Sequence, residues 1–257
     1  MKVHVLVTGR FFPRLGSTVV LLESRDGGRA LVDSGAGQDA PHLLRALAER
    51  GLGPDDVDTV VSTHLHYDHC GNHLLFERAR YLVDADDYRD TATFAATYLG
   101  DRSPEKRDTA EALRARTETI KPFYLRSIVR EMDRNLPFYE RVLAGDPRFV
   151  LLRGGLRLSD EVDIVPTPGH TRGHLSVVVR GAATDEDGAP ADLLVAGDAL
   201  ASGSITTAGG AREVDLAADV RQYRRTRRAL LRGFRFIVPG HGGPVDTRRE
   251  PARRAVA

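Results

Sequence analysis

His64-Leu65-His66-Tyr67-Asp68-His69-Cys70-Gly71-Asn72 follows directly on an apolar run from Val57 to Val61. Val57, Val60 and Val61, then Ser62 and Thr63, have the composition of a short buried strand that stops where the polar residues begin. The histidines are therefore expected on the loop at its C-terminal end, at the rim of a sheet. Imidazoles and a carboxylate crowded together are costly unless a positive charge neutralises and orients them. A bound cation does both, and a solvated histidine-rich loop is the bland alternative. His64, His66 and Asp68 alternate, which along an extended segment would splay three ligands. Asp68 and His69 are adjacent and would point different ways, so they could reach a second ion.

The same device recurs along the chain. Val162 to Val165 leads into Thr167-Pro168-Gly169-His170-Thr171-Arg172-Gly173-His174, where Pro168 and Gly169 bend the backbone just before His170. Leu193 to Ala196 runs into Gly197-Asp198, and Phe236 to Val238 runs into Pro239-Gly240-His241. One histidine or aspartate at a strand end is usually a turn residue. Four such endings together point to ligands gathered from separate strands. Asp33, in Asp33-Ser34-Gly35, stands at a strand tip too, as a turn residue or as an acceptor that orients a ligand histidine. His174 is either a hydrogen-bonded residue starting the strand Leu175 to Val179 or a weaker site candidate.

Composition narrows the function classes. The chain has 257 residues, 41% hydrophobic and 28% charged, with a net charge of +1. That balance suits one soluble domain over residues 1–257 and offers no bulk attraction to nucleic acid or to an anionic membrane. Cys70 is the only cysteine, so neither an intramolecular disulfide nor a cysteine metal cluster can form. The apolar start Met1 to Val7 is too short for a secretory signal, and no later run approaches a membrane span, so the cytoplasm is the expected location. Homodimerisation is left open.

In chain order, Val3 to Val7, Thr18 to Leu22 and Ala30 to Val32 read as three strands, the last two joined by the hairpin signal Asp26-Gly27-Gly28. A helix should follow with Leu43, Leu44 and Leu47 on one face, ending at Gly51. Tyr81 to Val83 is another strand. From about 85 to 147 the spacing turns helical, for example at Leu125, Ile128, Val129 and Met132, with prolines at 104, 122 and 137. Two to four inserted helices are expected. Their aromatics, Phe94, Tyr98, Phe123, Tyr124, Phe138 and Tyr139, should mostly pack the insertion onto the body, although a lid lining the substrate cleft is the sharper hypothesis. Strands resume at Phe149 to Leu152. Leu216, Val220, Tyr223 and Leu230 recur at helical spacing in an arginine-rich segment, so its arginines should coat the solvent side of a helix.

The strings His-x-His-x-Asp-His, Pro-Gly-His, Gly-Asp and Pro-Gly-His, in this order, resemble the metallo-β-lactamase superfamily from about Val3 to Val245, apart from the helical insertion. The resemblance implies an α/β fold, the four-layer αββα sandwich, with a dinuclear metal site at one edge of its sheets. It implies that His64, His66 and His170 hold one metal, that Asp68, His69 and His241 hold the other, and that Asp198 bridges them. Two zinc ions suit this nitrogen- and oxygen-rich set, and manganese, iron or cobalt would be tolerated. A metal-bridging hydroxide would then attack the carbonyl of a small-molecule lactone or ester, with Asp68 steering the hydroxide or passing its proton on.

Tyr67 between the ligands and Gly-Asn-His-Leu-Leu-Phe after them resemble the N-acyl homoserine lactone lactonases. Those enzymes carry a tyrosine shortly after the bridging aspartate, where this chain has Ala199-Leu200-Ala201-Ser202. Gly-His-Thr-Arg-Gly-His is also similar to hydroxyacylglutathione hydrolases, so thioester cleavage is the second expectation. Persulfide dioxygenases, with a single iron, and nucleases share parts of the pattern. Having aspartate where many true β-lactamases place cysteine argues against antibiotic cleavage.

Overall fold

A computed structural model describes residues 1–11, 15–100, 130–202 and 217–248. Two six-stranded sheets face each other. The first has the order β1-β2-β3-β4-β5-β6, from β1 (Lys2–Val7), β2 (Val19–Glu23), β3 (Arg29–Val32), β4 (Thr59–Val61), β5 (Arg80–Asp84) and β6 (Phe149–Leu152). The second has the order β12-β11-β10-β9-β8-β7, from β7 (Leu156–Ser159), β8 (Val162–Pro166), β9 (Leu175–Thr184), β10 (Pro190–Ser202), β11 (Phe236–His241) and β12 (Val245–Asp246).

Alternation along the strands builds the layers. In β2, Val20 and Leu22 point between the sheets and meet Val177, Val179 and Val195 of the second sheet, while Val19 and Leu21 point outward onto α1 (Ala40–Ala48) through Leu43 and Leu47. On the other outer face, Leu194, Ala196 and Ile237 pack under Leu230 of α5 (Val220–Gly233). Helix, sheet, sheet, helix is the four-layer α/β sandwich that the motifs implied.

The site's position follows from strand direction. β3, β4, β5 and β6 are mutually parallel, as are β10 and β11, so the C-terminal ends of β3 and β4 share one rim and those of β10 and β11 another. Two backbone bonds pin these rims together, Leu175 N–H to the Thr63 carbonyl at 2.8 Å and Thr18 N–H to the Gly240 carbonyl at 2.7 Å.

Several local expectations need correction. The ligand segment is extended only as far as His66. Tyr67–Cys70 forms a single helical turn, α2, because the His69 and Cys70 N–H groups both bond to the His66 carbonyl once the strand pairing has ended. Leu44 is 37% exposed, since it lies about a quarter turn from the Leu43–Leu47 stripe that faces the sheet. Asp198 lies inside β10 rather than beyond its end, at a point where the pairing with β11 shifts register. β7 adds a strand between the two expected at Phe149 to Leu152 and Val162 to Val165. In α5, Val220 is exposed while Tyr223, Thr226 and Leu230 are buried, and Leu216 lies outside the described residues.

The stretch between β5 and β6 begins with α3 (Ala85–Gly100) and ends, after helical residues 130–134, with α4 (Leu136–Leu143). Phe138 and Tyr139 are buried against Leu65, Cys70 and Val83, directly beneath the histidine loop, and Phe94 packs on Tyr139 with ring centroids 5.6 Å apart. Leu125, Ile128, Val129, Phe123 and Tyr124 lie outside the described residues. Cys70 is fully buried.

Candidate metal centre

Seven side chains converge on the rim. Three groups have ligand-type atoms lying within 4.8 Å of one another: His64, His66 and His170; His64, His69 and Asp198; Asp68, His69 and His241. In the first, His66 Nδ1 lies 3.0 Å from His64 Nε2 and 3.2 Å from His170 Nε2. In the last, Asp68 Oδ2 lies 3.7 Å from His69 Nε2 and 3.5 Å from His241 Nε2. Asp198 stands between the groups. Its Oδ1 is 3.4 Å from both His69 Nε2 and His241 Nε2, while its Oδ2 is 3.3 Å from His170 Nε2.

The separations of 3.3 to 3.7 Å around Asp68 and Asp198 are long for hydrogen bonds and fit a shared cation better. Ligand atoms 2.0–2.2 Å from a tetrahedral ion stand about 3.3–3.6 Å apart, close to the spacing seen here. His69 Nε2 and Asp198 Oδ1 are buried without a hydrogen bond although they face each other. Such orphaned polar atoms in a protein interior call for a partner.

The far side of each ring sets which nitrogen is free. His69 Nδ1 donates to Asp33 Oδ2 at 2.7 Å, and His241 Nδ1 donates to the Gly16 carbonyl at 2.9 Å. Thr63 Oγ1 donates to Asp33 Oδ2 at 2.8 Å and lies 3.1 Å from His64 Nδ1, from which it can accept. With Nδ1 engaged on the far side, all three histidines turn Nε2 to the cluster. Asp33 also takes the Thr63 N–H at 2.8 Å, and its φ of 59° makes it the only non-glycine residue with positive φ among the described residues. Gly240 is needed for space, since a Cβ there would run into Asp198 Oδ1.

Electrostatics divide the cluster. Burial, reinforced by His69, His66 and His170, holds His64 well below the usual histidine range, and burial takes His170 down to about 3. Both are neutral bases at physiological pH. Burial opposes a charge on His69 and His241 and is the largest single effect, but the carboxylates together outweigh it, Asp198 with Asp33 and Asp68 at His69 and Asp198 with Asp68 at His241, so both are raised. Burial likewise opposes the Asp198 carboxylate, yet His241, His69 and His170 hold it well below the usual carboxylate range. A cation entering this half replaces protons, so its binding should weaken as pH falls.

The other candidates fall around this core. His174 is buried, with Nδ1 2.8 Å from Thr167 Oγ1 and Nε2 without a hydrogen bond, its ring 5.2 Å from that of His64. Tyr67 is partly buried, and burial, with the Asp68 and Glu131 carboxylates nearby, pushes its phenol up. Sequence patterns missed Thr63, Asp87 and His73. Asp87, in the first turn of α3, accepts the Leu65 N–H at 2.6 Å and so holds the backbone between two ligands. Phe11 stacks over His241 with centroids 4.3 Å apart and is 36% exposed at the mouth.

Buried neutral histidines make a pH-dependent stability term. His73 is driven by burial from an ordinary 6.5 down to about 3, so between those values the unfolded chain binds the extra proton and stability falls as pH falls. From pH 6.5 to about pH 5 this one group should cost about 2 kcal/mol. Urea midpoints of metal-stripped protein at the two pH values check this. The His73→Gln protein should show a shallower dependence.

Comparison with known proteins agrees with the geometry. The human protein named Metallo-beta-lactamase domain-containing protein 1 is 28% identical over 239 residues, 93% of this chain and 67% of its own length. A metallo-beta-lactamase family protein from Thermus thermophilus superposes with a TM-score of 0.61 at 22% identity, covering 97% of this chain and 76% of its own. AidC, a dizinc quorum-quenching lactonase solved with N-hexanoyl-L-homoserine product, superposes with a TM-score of 0.58 at 18% identity, covering 88% and 72%. The family model described as Metallo-beta-lactamase superfamily matches residues 12–241. The chain therefore belongs to the metallo-beta-lactamase superfamily.

Proposed function

We propose that this protein is a dinuclear metal-dependent hydrolase that opens a lactone or cleaves a related ester of a small molecule. The observation that carries this reading is the Asp198 carboxylate, which turns one oxygen toward His69 and His241 and the other toward His170. One carboxylate shared by two ligand groups is the arrangement that spaces a metal pair. When bound, two such ions supply an activated water and an electrophile for the carbonyl oxygen.

The chain's own groups do the rest. The thiol and serines nearest the motif are poor nucleophiles: burial pushes the Cys70 thiol up, away from thiolate, and the Ser34 and Ser62 hydroxyls are buried in hydrogen bonds. Asp68, with its Oδ2 toward His69 and His241, is the group placed to take a proton from the attacking water. His66 is the exposed member of the cluster, so substrate would enter from its side. Phe11 would offer an apolar wall to the acyl part.

Lactones come first because the surroundings of the ligand motif resemble lactonases and a lactonase shares the fold. A panel of lactones, esters and thioesters, assayed with and without chelator, tests the assignment. Lactone or ester hydrolysis that chelator abolishes is expected, and Phe11→Ala should raise KM for acylated substrates several-fold with little change in kcat. Turnover of thioesters alone would move the assignment to the second hydrolase class. Oxygen consumption with one iron per chain would replace it with the dioxygenase.

A further inference from the structure

His73 is three residues past the ligand turn, fully buried, and belongs to none of the ligand groups. Both of its ring nitrogens are nevertheless occupied. Nδ1 lies 2.7 Å from Ser34 Oγ and Nε2 lies 2.7 Å from Ser62 Oγ. Ser34 immediately follows Asp33, and Ser62 immediately precedes Thr63. One imidazole therefore spans the tips of β3 and β4 beside the two residues that orient His69 and His64.

The proton bookkeeping closes in a single arrangement. Ser34 Oγ accepts the Asn72 N–H at 3.1 Å and the His73 Nδ1–H, and its own hydrogen points to the His69 carbonyl at 3.3 Å. Ser62 then donates to His73 Nε2. Every partner is satisfied, which matters where water cannot substitute. The ring is fixed from behind as well, by Tyr81 and Phe138 at centroid distances of 5.4 Å, and the Tyr81 hydroxyl donates to the His73 carbonyl at 3.0 Å. A histidine that merely filled space would not need two serines at these positions. Asp33, held at a positive φ, is the kind of strained residue that persists only when its neighbours over-determine it.

We propose that His73 is a positioning residue of the metal centre: it crosslinks the β3 and β4 tips, fixes Asp33 and Thr63, and through them aims His69 and His64. It touches neither metal nor substrate. Its effect should therefore appear in metal affinity and geometry rather than in any proton transfer.

The test uses the full-length protein, stripped and reloaded. Zinc affinity is measured by competition with a chromophoric chelator, cobalt geometry by the absorption spectrum of the cobalt-loaded protein, and stability by the urea midpoint of the stripped form. His73→Phe, which keeps the ring volume and removes both bonds, should lower zinc affinity about 10–100-fold and alter the cobalt spectrum. His73→Gln, which can still donate and accept, should recover most of that loss. In an Asp33→Asn background His73→Phe should add little, because the two act along one route.

Parent-like affinity and spectrum in His73→Phe would overturn the proposal, as would full additivity with Asp33→Asn or a failure of His73→Gln to rescue. Should His73→Phe not fold, Ser62→Ala carries the test: lowered zinc affinity supports the crosslink, and unchanged affinity overturns it. The inference rests on the metal reading of the site, and the two fail differently. Parent protein that takes up neither ion overturns both, whereas parent binding with His73→Phe unchanged overturns this one alone.

Discussion

Asp198→Asn should lose metal and turnover together. Its two oxygens serve different ligand groups, and an amide nitrogen has no lone pair to give a cation, so the substitution leaves one of the groups without its oxygen ligand. It also deletes the charge that holds His69 and His241 in their raised state. Removing one partner of a buried charge set costs about 3–5 kcal/mol, which corresponds to roughly 10²–10⁴-fold in affinity or rate. Metal content and kcat/KM measured on the same preparation check this. An Asp198→Asn protein with parent metal content and more than about a tenth of parent activity would deny the bridging role.

Asp33→Ala should cost the most stability among the positions around the site. Three buried donors, the His69 Nδ1–H, the Thr63 N–H and the Thr63 hydroxyl, end on its carboxylate. Each unsatisfied buried group costs about 1–3 kcal/mol, and alanine at φ 59° adds about 1 kcal/mol of backbone strain. A loss of about 3–5 kcal/mol is expected, or roughly 10 °C in Tm for a chain of this size. Thermal unfolding of the metal-stripped protein isolates the term from metal binding. A Tm within about 2 °C of the parent would show that Asp33 is only a turn residue.

The motifs make the rim legible because each ligand follows a short apolar strand within a few residues, and a strand's direction then sends the ligand to the edge. His64, His170 and His241 can be placed in this way. Asp198 can be assigned to the cluster but not to the middle of β10, because the register shift that exposes it depends on pairing with β11. The helical turn Tyr67–Cys70 reads as extended in the sequence, since four residues cannot display a 3.6-residue period and histidine has little helix preference.

β7 escapes detection because Leu156–Ser159 follows two glycines and is only four residues long, too short for its Leu-Arg-Leu-Ser alternation to stand out. Residues behind the ligands are the least legible. Thr63, His73 and Asp87 gain their roles from bonds to residues 22 to 39 positions away or across strand tips, and such pairings exist only after the sheets have formed.

Every role assigned above depends on this rim caging a pair of metal ions. Elemental analysis of the purified chain, followed by chelation and titration back with zinc or manganese, tests it most directly. Two equivalents per chain, with hydrolysis lost on stripping and regained as the second equivalent binds, is the predicted result. Full hydrolytic turnover by protein shown to contain no metal would contradict it.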